Sequence, residues 1–121
     1  MDWNQTYARL RRMVGMDLRS ISGRADITLV SLDRDTYTVD ANSGTVSRQT
    51  RELDRIVNQM ARNEPVHVDS LLFGSGSSRN HPETVLANLP DVEWLRIRGR
   101  KHIVWVGHDT HRLGTLREHR P

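Results

Sequence analysis

TRELDRIVNQMARNEPVHVDSLLFGSGSSRNHPETVLANLPDVEWLRIRGRKHIVWVG, residues 50–107, sets the order of elements in this chain. Leu53, Ile56, Val57 and Met60 fall at i, i+3, i+4 and i+7, so the spacing predicts an amphipathic helix near 49–62. Asn63, Glu64 and Pro65 end it. Val66 and Val68 then alternate with His67, as a short half-buried strand should, and His67 reads as a strand residue rather than a ligand. Leu71, Leu72 and Phe73 make a short helical group, and the Gly/Ser run 74–78 is too glycine-rich to extend it and reads as a turn. A second helical piece covers 82–89, with Pro82 at its first position, Asn80 or His81 near the cap, Val85, Leu86 and Leu89 facing inward, and Pro90 as the stop. Strand-like runs at 92–97 and 102–106 close the unit, joined by Arg98, Gly99, Arg100 and Lys101, where Gly99-Arg100 suits a type II′ turn.

Residue types around this frame point to nucleic acid. Ser77, Ser78, Arg79, Asn80 and His81, together with Thr84, are expected to project from the N-terminus of the second helical piece. Arginine can bond guanine O6 and N7, and asparagine can bond adenine N6 and N7. The same residues are also ordinary capping types, and Glu83 is acidic where DNA favours a cation. Arg96, Arg98, Arg100, Lys101 and His102 crowd the hairpin tip, where phosphate contacts would be made. Charge is uneven along the chain: residues 92–121 carry seven Lys or Arg against three acids, while residues 1–47 carry six arginines and six aspartates. Lys101 is the only lysine among 18 basic residues, a bias that composition alone can produce, so position is the better argument.

The order helix, strand, helix, helix, strand, strand over residues 50–107 resembles the winged helix-turn-helix family. Residues 68–90, and the run 43–48 leading into a helix, are also similar to DNA-reading modules found beside or within restriction and phage-defence proteins. The resemblance implies a helix in the major groove, a basic wing on the backbone, and a double-stranded DNA partner. It also implies a homodimer or a larger defence or regulatory complex, with transcription regulation as a related role. The near-neutral recognition region departs from the family and weakens base reading more than backbone contact. The rival reading is a winged-helix adaptor that binds protein instead.

Upstream, Trp3, Tyr7, Leu10 and Val14 form one stripe of a helix capped by Asp2 and ended by Gly15, with Arg9, Arg11 and Arg12 on a solvated or partner-touching face. Ile27, Leu29, Val30 and Leu32 begin an antiparallel meander whose turns are Asp33-Arg-Asp35 and Asn42-Ser-Gly44. Ser47 or Thr50 is then the helix cap. The expected architecture is α+β: an N-terminal helix and small antiparallel sheet (1–47) packed on a winged helix-turn-helix (48–107), with a basic flexible tail (108–121).

Other classes fare poorly. With no cysteine in its 121 residues the chain has neither disulfides nor thiolate chemistry. No basic-then-apolar leader or long apolar run is present, so a cytoplasmic protein without membrane contact is expected. The glycines at 74–76 lack the Lys-[Ser/Thr] of a nucleotide loop. Asp26, Asp33, Asp35 and Asp40 are spaced as turn residues, His108 and His111 lack a third ligand, and Lys101 with Asp91 and Glu93 makes a weak nuclease set. No metal, cofactor or enzymatic activity is therefore expected.

Overall fold

A computed structural model of the chain describes residues 1–23, 26–42, 44–72 and 80–117. Helix α1 (Trp3–Arg11) starts where the Asp2 carboxylate accepts from the backbone N–H groups of Asn4 and Gln5. After one further turn Gly15, at φ +91°, swings the chain round so that its N–H reaches Leu29 O at 2.7 Å. A four-stranded antiparallel meander follows: β1 (Asp17–Leu18), β2 (Ile27–Leu32), β3 (Thr36–Ala41) and β4 (Gly44–Gln49), paired in that order. A bulge between Leu29 and Ser31 sets Val30 outside, 46% exposed, and lets Leu29 and Leu32 both point inward. The β2–β3 turn closes on Asp33, whose carboxylate accepts from the N–H groups of Asp35 and Thr36 at 2.8 Å each; those bonds hold its pKa below the ordinary value.

Helix α2 (Arg51–Met60) buries Leu53, Ile56, Val57 and Met60, the stripe its spacing predicts. Thr50 stands at its cap, but its hydroxyl donates to Asp33 O at 2.8 Å and so ties the helix to the sheet instead. Beyond it, Val66 pairs with Ile103 through N–H···O bonds of 2.7 and 3.0 Å. A single turn, α3 (Val68–Leu71), precedes α4 (Asn80–Ala87). With α4 beginning at Asn80, Pro82 sits inside the first turn rather than opening it; its missing N–H costs nothing there, because first-turn donors have no partner within a helix. A hairpin of β5 (Val92–Ile97) and β6 (Arg100–Trp105) completes the regular structure.

One cluster of buried side chains runs from Leu10 through Leu29, Tyr37 and Val39 to Leu53, Leu86 and Ile103. Residues 1–47 and 48–107 therefore share a core. Residues 108–117, expected within the flexible tail, return along it instead. Thr110 N–H bonds Pro90 O at 2.8 Å, Gly114 N–H bonds Asn88 O at 2.9 Å, and Leu113 and Leu116 pack on the cluster. Two leucines in an otherwise polar stretch are enough to dock it. No helix of the described residues is long and apolar enough to cross a membrane.

Candidate nucleic-acid interface

The β5–β6 hairpin is closed by a two-residue turn. Ile97 pairs with Arg100, leaving Arg98 and Gly99 as the central residues at φ 51° and 78°. Two positive φ angles make this a type I′ turn over Arg98-Gly99, not the type II′ turn over Gly99-Arg100 expected from the sequence. The I′ geometry matches the right-handed twist of the strands, and only glycine enters it without steric cost. Arg98 is thus a non-glycine residue held in the left-handed region at an exposed tip.

The register sorts the hairpin's side chains onto two faces. Val92, Trp94 and Arg96 share a face with Trp105, Ile103 and Lys101, and fully buried Ile103 marks that face as the inner one. Arg96 lies at its outer end, exposed, with a 3.4 Å bond to Gly99 O. Arg100 pairs with Ile97 on the opposite face, and both are exposed. Arg96, Arg98 and Arg100 form no ion pair with a described residue. They place three exposed guanidinium groups at and beside one turn.

Lys101 does not join them. Its Nζ lies 3.3 Å from Oε1 of Glu83, a buried residue of α4. Burial raises the Glu83 pKa, and the lysine charge opposes that rise. Its alternation with Ile103 was the signal in the sequence: two residues from a core position, Lys101 had to face inward. His102 is half-buried, its Nδ1 2.9 Å from Arg100 O, and its ring lies 5.3 Å from that of His67. It braces the hairpin against the segment between α2 and α3.

The expected recognition residues divide. Ser77, Ser78 and Arg79 lie outside the described residues, and Asn80 opens α4. His81 and Thr84 are buried, 6% and 1% exposed, rather than projecting outward. Burial, reinforced by the Arg48 charge, lowers the His81 pKa. Every residue from 81 to 92 is buried, so these residues of α4 offer no open face to a groove. Polar residue types at 81 and 84 predict a surface position, which their burial contradicts. Their burial is set by tertiary packing: His81 Nδ1 and Thr84 Oγ1 are buried without a hydrogen-bond partner among the described residues, whereas Asn88 Nδ2 donates to Thr84 O at 2.7 Å and to Arg19 O at 3.1 Å.

Two further clusters support the hairpin. Asp91 Oδ2 accepts from Arg9 Nη1 and from Trp105 Nε1, each at 2.9 Å, which fixes α1 to the foot of β5 and β6. Burial pushes the Asp91 carboxyl up, but these two bonds and the Arg9 charge outweigh it and hold the pKa below its usual value. Glu52 on α2 accepts from the Tyr37 hydroxyl and from Arg48, joining sheet to helix. Burial and the Glu52 carboxylate push the Tyr37 pKa up, and the same carboxylate raises that of Arg48. Among the described residues, no group of three or more His, Asp or Glu is placed to hold a metal.

The chain is similar to the type II restriction enzyme NmeDI of Neisseria meningitidis serogroup C, 27% identical over 78 residues. The alignment covers 54% of this chain and 22% of that enzyme, so the chain spans a minor part of its relative's length. No protein-family model matches the chain. No solved structure matches it.

Proposed function

We propose that this chain is a duplex-DNA-contacting module of a restriction or phage-defence system, with Arg96, Arg98 and Arg100 as its backbone contacts. The observation that carries the reading is the hairpin tip, where Arg98 of the two-residue turn and Arg96 and Arg100 of the flanking strands are exposed and free of ion pairs with described residues. Unpaired arginines about a preorganised turn suit phosphate oxygens, since no ion pair has to be broken and no backbone ordered on binding. The partial likeness to a restriction enzyme supports a DNA partner. The Val66–Ile103 bridge supports a winged-helix reading of residues 50–107, because it lays the strand after the first helix against the second strand of the wing. Base reading, in this proposal, stays with Ser77, Ser78, Arg79 and Asn80, since His81 and Thr84 are buried.

The burial of α4 favours a second reading, a protein-binding adaptor in a regulatory or defence complex. One experiment separates them. The Arg96→Ala/Arg98→Ala/Arg100→Ala variant is titrated against random-sequence duplexes over a salt series. Removing a phosphate-bound guanidinium should lower the log–log salt slope by about 0.9 per group, equally for all sequences. A slope and affinity equal to wild type would refute the wing as a DNA contact. No duplex binding by the wild-type chain at low salt would leave the adaptor reading.

A further inference from the structure

A second cationic surface lies at the foot of the hairpin, away from the tip. An open cleft of about 560 Å³ is lined by Arg12 at the end of α1 and by Asp109, His111 and Arg112 of the returning segment. Arg12 and Arg112 are exposed and, like the tip arginines, form no ion pair with a described residue. Asp109 is the one acid among the lining residues, and its carboxylate lies 3.7 Å from Arg9, which draws its charge toward α1.

His111 anchors the wall of the cleft. Its Nε2 donates to Val92 O at 2.8 Å, and its Nδ1 is 3.3 Å from Thr115 Oγ1. Thr115 has a single hydroxyl proton, which goes to Arg112 O at 2.6 Å. Through Val92 the ring is fastened to the first residue of β5.

We propose that this cleft is a second phosphate site, seating the DNA backbone while the hairpin tip holds it elsewhere. The inference rests on the reading of the tip as a duplex contact. Five residue steps of β5 separate Val92 from Ile97, about 17 Å at strand rise, which corresponds to about five base pairs along a duplex. The two sites would thus grip one duplex about half a helical turn apart.

The test compares three forms of the 121-residue chain on one random 20-base-pair duplex across a salt series: wild type, Arg12→Ala/Arg112→Ala, and the triple tip variant. Both cleft side chains are exposed, so thermal unfolding should be unchanged. The cleft variant should lose about 1.8 from the log–log slope, so that about 12-fold less affinity is lost between 50 and 200 mM salt. A slope reduced in both variants supports the cleft. A wild-type slope in the cleft variant with a reduced slope in the tip variant overturns the cleft and leaves the tip standing. The converse pattern overturns the tip and with it the two-site grip. No duplex binding by the wild type overturns both.

Discussion

Arg98 stands at the first central position of the hairpin turn with φ 51°, and its exchange for asparagine separates the backbone's needs from those of the charge. An ordinary side chain in the left-handed region costs about 1–2 kcal/mol, because Cβ crowds the following carbonyl. Asparagine carries less of that cost, since its short side chain bonds the local backbone, and Asn-Gly is the preferred pair for a type I′ turn. Arg98 is exposed and pairs with no described acid, so its removal sacrifices little packing. Arg98→Asn should therefore stabilise the fold by about 1 kcal/mol, which for a domain of this size raises Tm by about 3–5 °C. The same change removes one guanidinium from the tip and should lower the duplex-binding salt slope by about 0.9. Two controls complete the design: Arg98→Ala loses the charge and keeps the strain, and Arg98→Lys keeps both. Calorimetry and fluorescence anisotropy read the two quantities separately. If Arg98→Asn melts at or below the wild-type temperature, the strain argument fails. A wild-type salt slope for Arg98→Asn and Arg98→Ala alike would mean the guanidinium touches no phosphate.

Lys101→Met should behave in the opposite way, leaving the salt slope near wild type while destabilising the fold by about 1–2 kcal/mol at pH 7.5, since it strips the partner from a buried carboxylate. The Glu83 pKa is raised on folding, so stability falls as pH rises above the ordinary carboxylate value; the Lys101→Met deficit should shrink toward pH 4.5, and a deficit that is flat in urea titrations between those pH values would contradict the pairing. Asp91→Asn should cost about 1–3 kcal/mol at pH 7. Because the folded Asp91 pKa is depressed, its contribution is present above about pH 4 and lost as pH falls through the lower folded value, so wild type and variant should converge on acidification below the ordinary carboxylate range; curves that stay parallel there would rule out the Arg9–Asp91 bond as the cause.

How far the sequence carried depended on whether the deciding interaction was local. The α2 stripe was legible because a 3.6-residue period records which face is buried, and Leu53, Ile56, Val57 and Met60 are all buried. The antiparallel meander was legible from Asp33 and from alternation around Tyr37 and Val39. The basic hairpin was visible too, but its turn was placed one residue late, since Gly99 serves either frame and only the Ile97–Arg100 pairing decides. Less local facts were hidden. Glu83, Thr84 and Asn88 look like the polar face of a surface helix, and their burial depends on Lys101, Arg19 and a core assembled from both halves of the chain. Docking of residues 108–117 rests on backbone bonds to Pro90 and Asn88 together with Leu113 and Leu116, and two leucines three apart make too short a pattern to be legible in the sequence. Of the candidate interface, the arginines were readable as a group, while the inward turn of Lys101 required the face assignment of Ile103.

The Arg9–Asp91 bond joins residues 82 apart, and that separation bears on the order of folding. The meander and the hairpin each close over short loops, and such contacts form early because little chain entropy opposes them. Helix α1 can dock on the foot of the hairpin only after the intervening chain has condensed. Arg9→Ala should then accelerate unfolding while leaving the refolding rate nearly unchanged, the kinetic mark of a contact absent from the transition state. The same contact couples the two ends mechanically: a change of register in α1 is felt at Trp105, which shares the Asp91 carboxylate with Arg9.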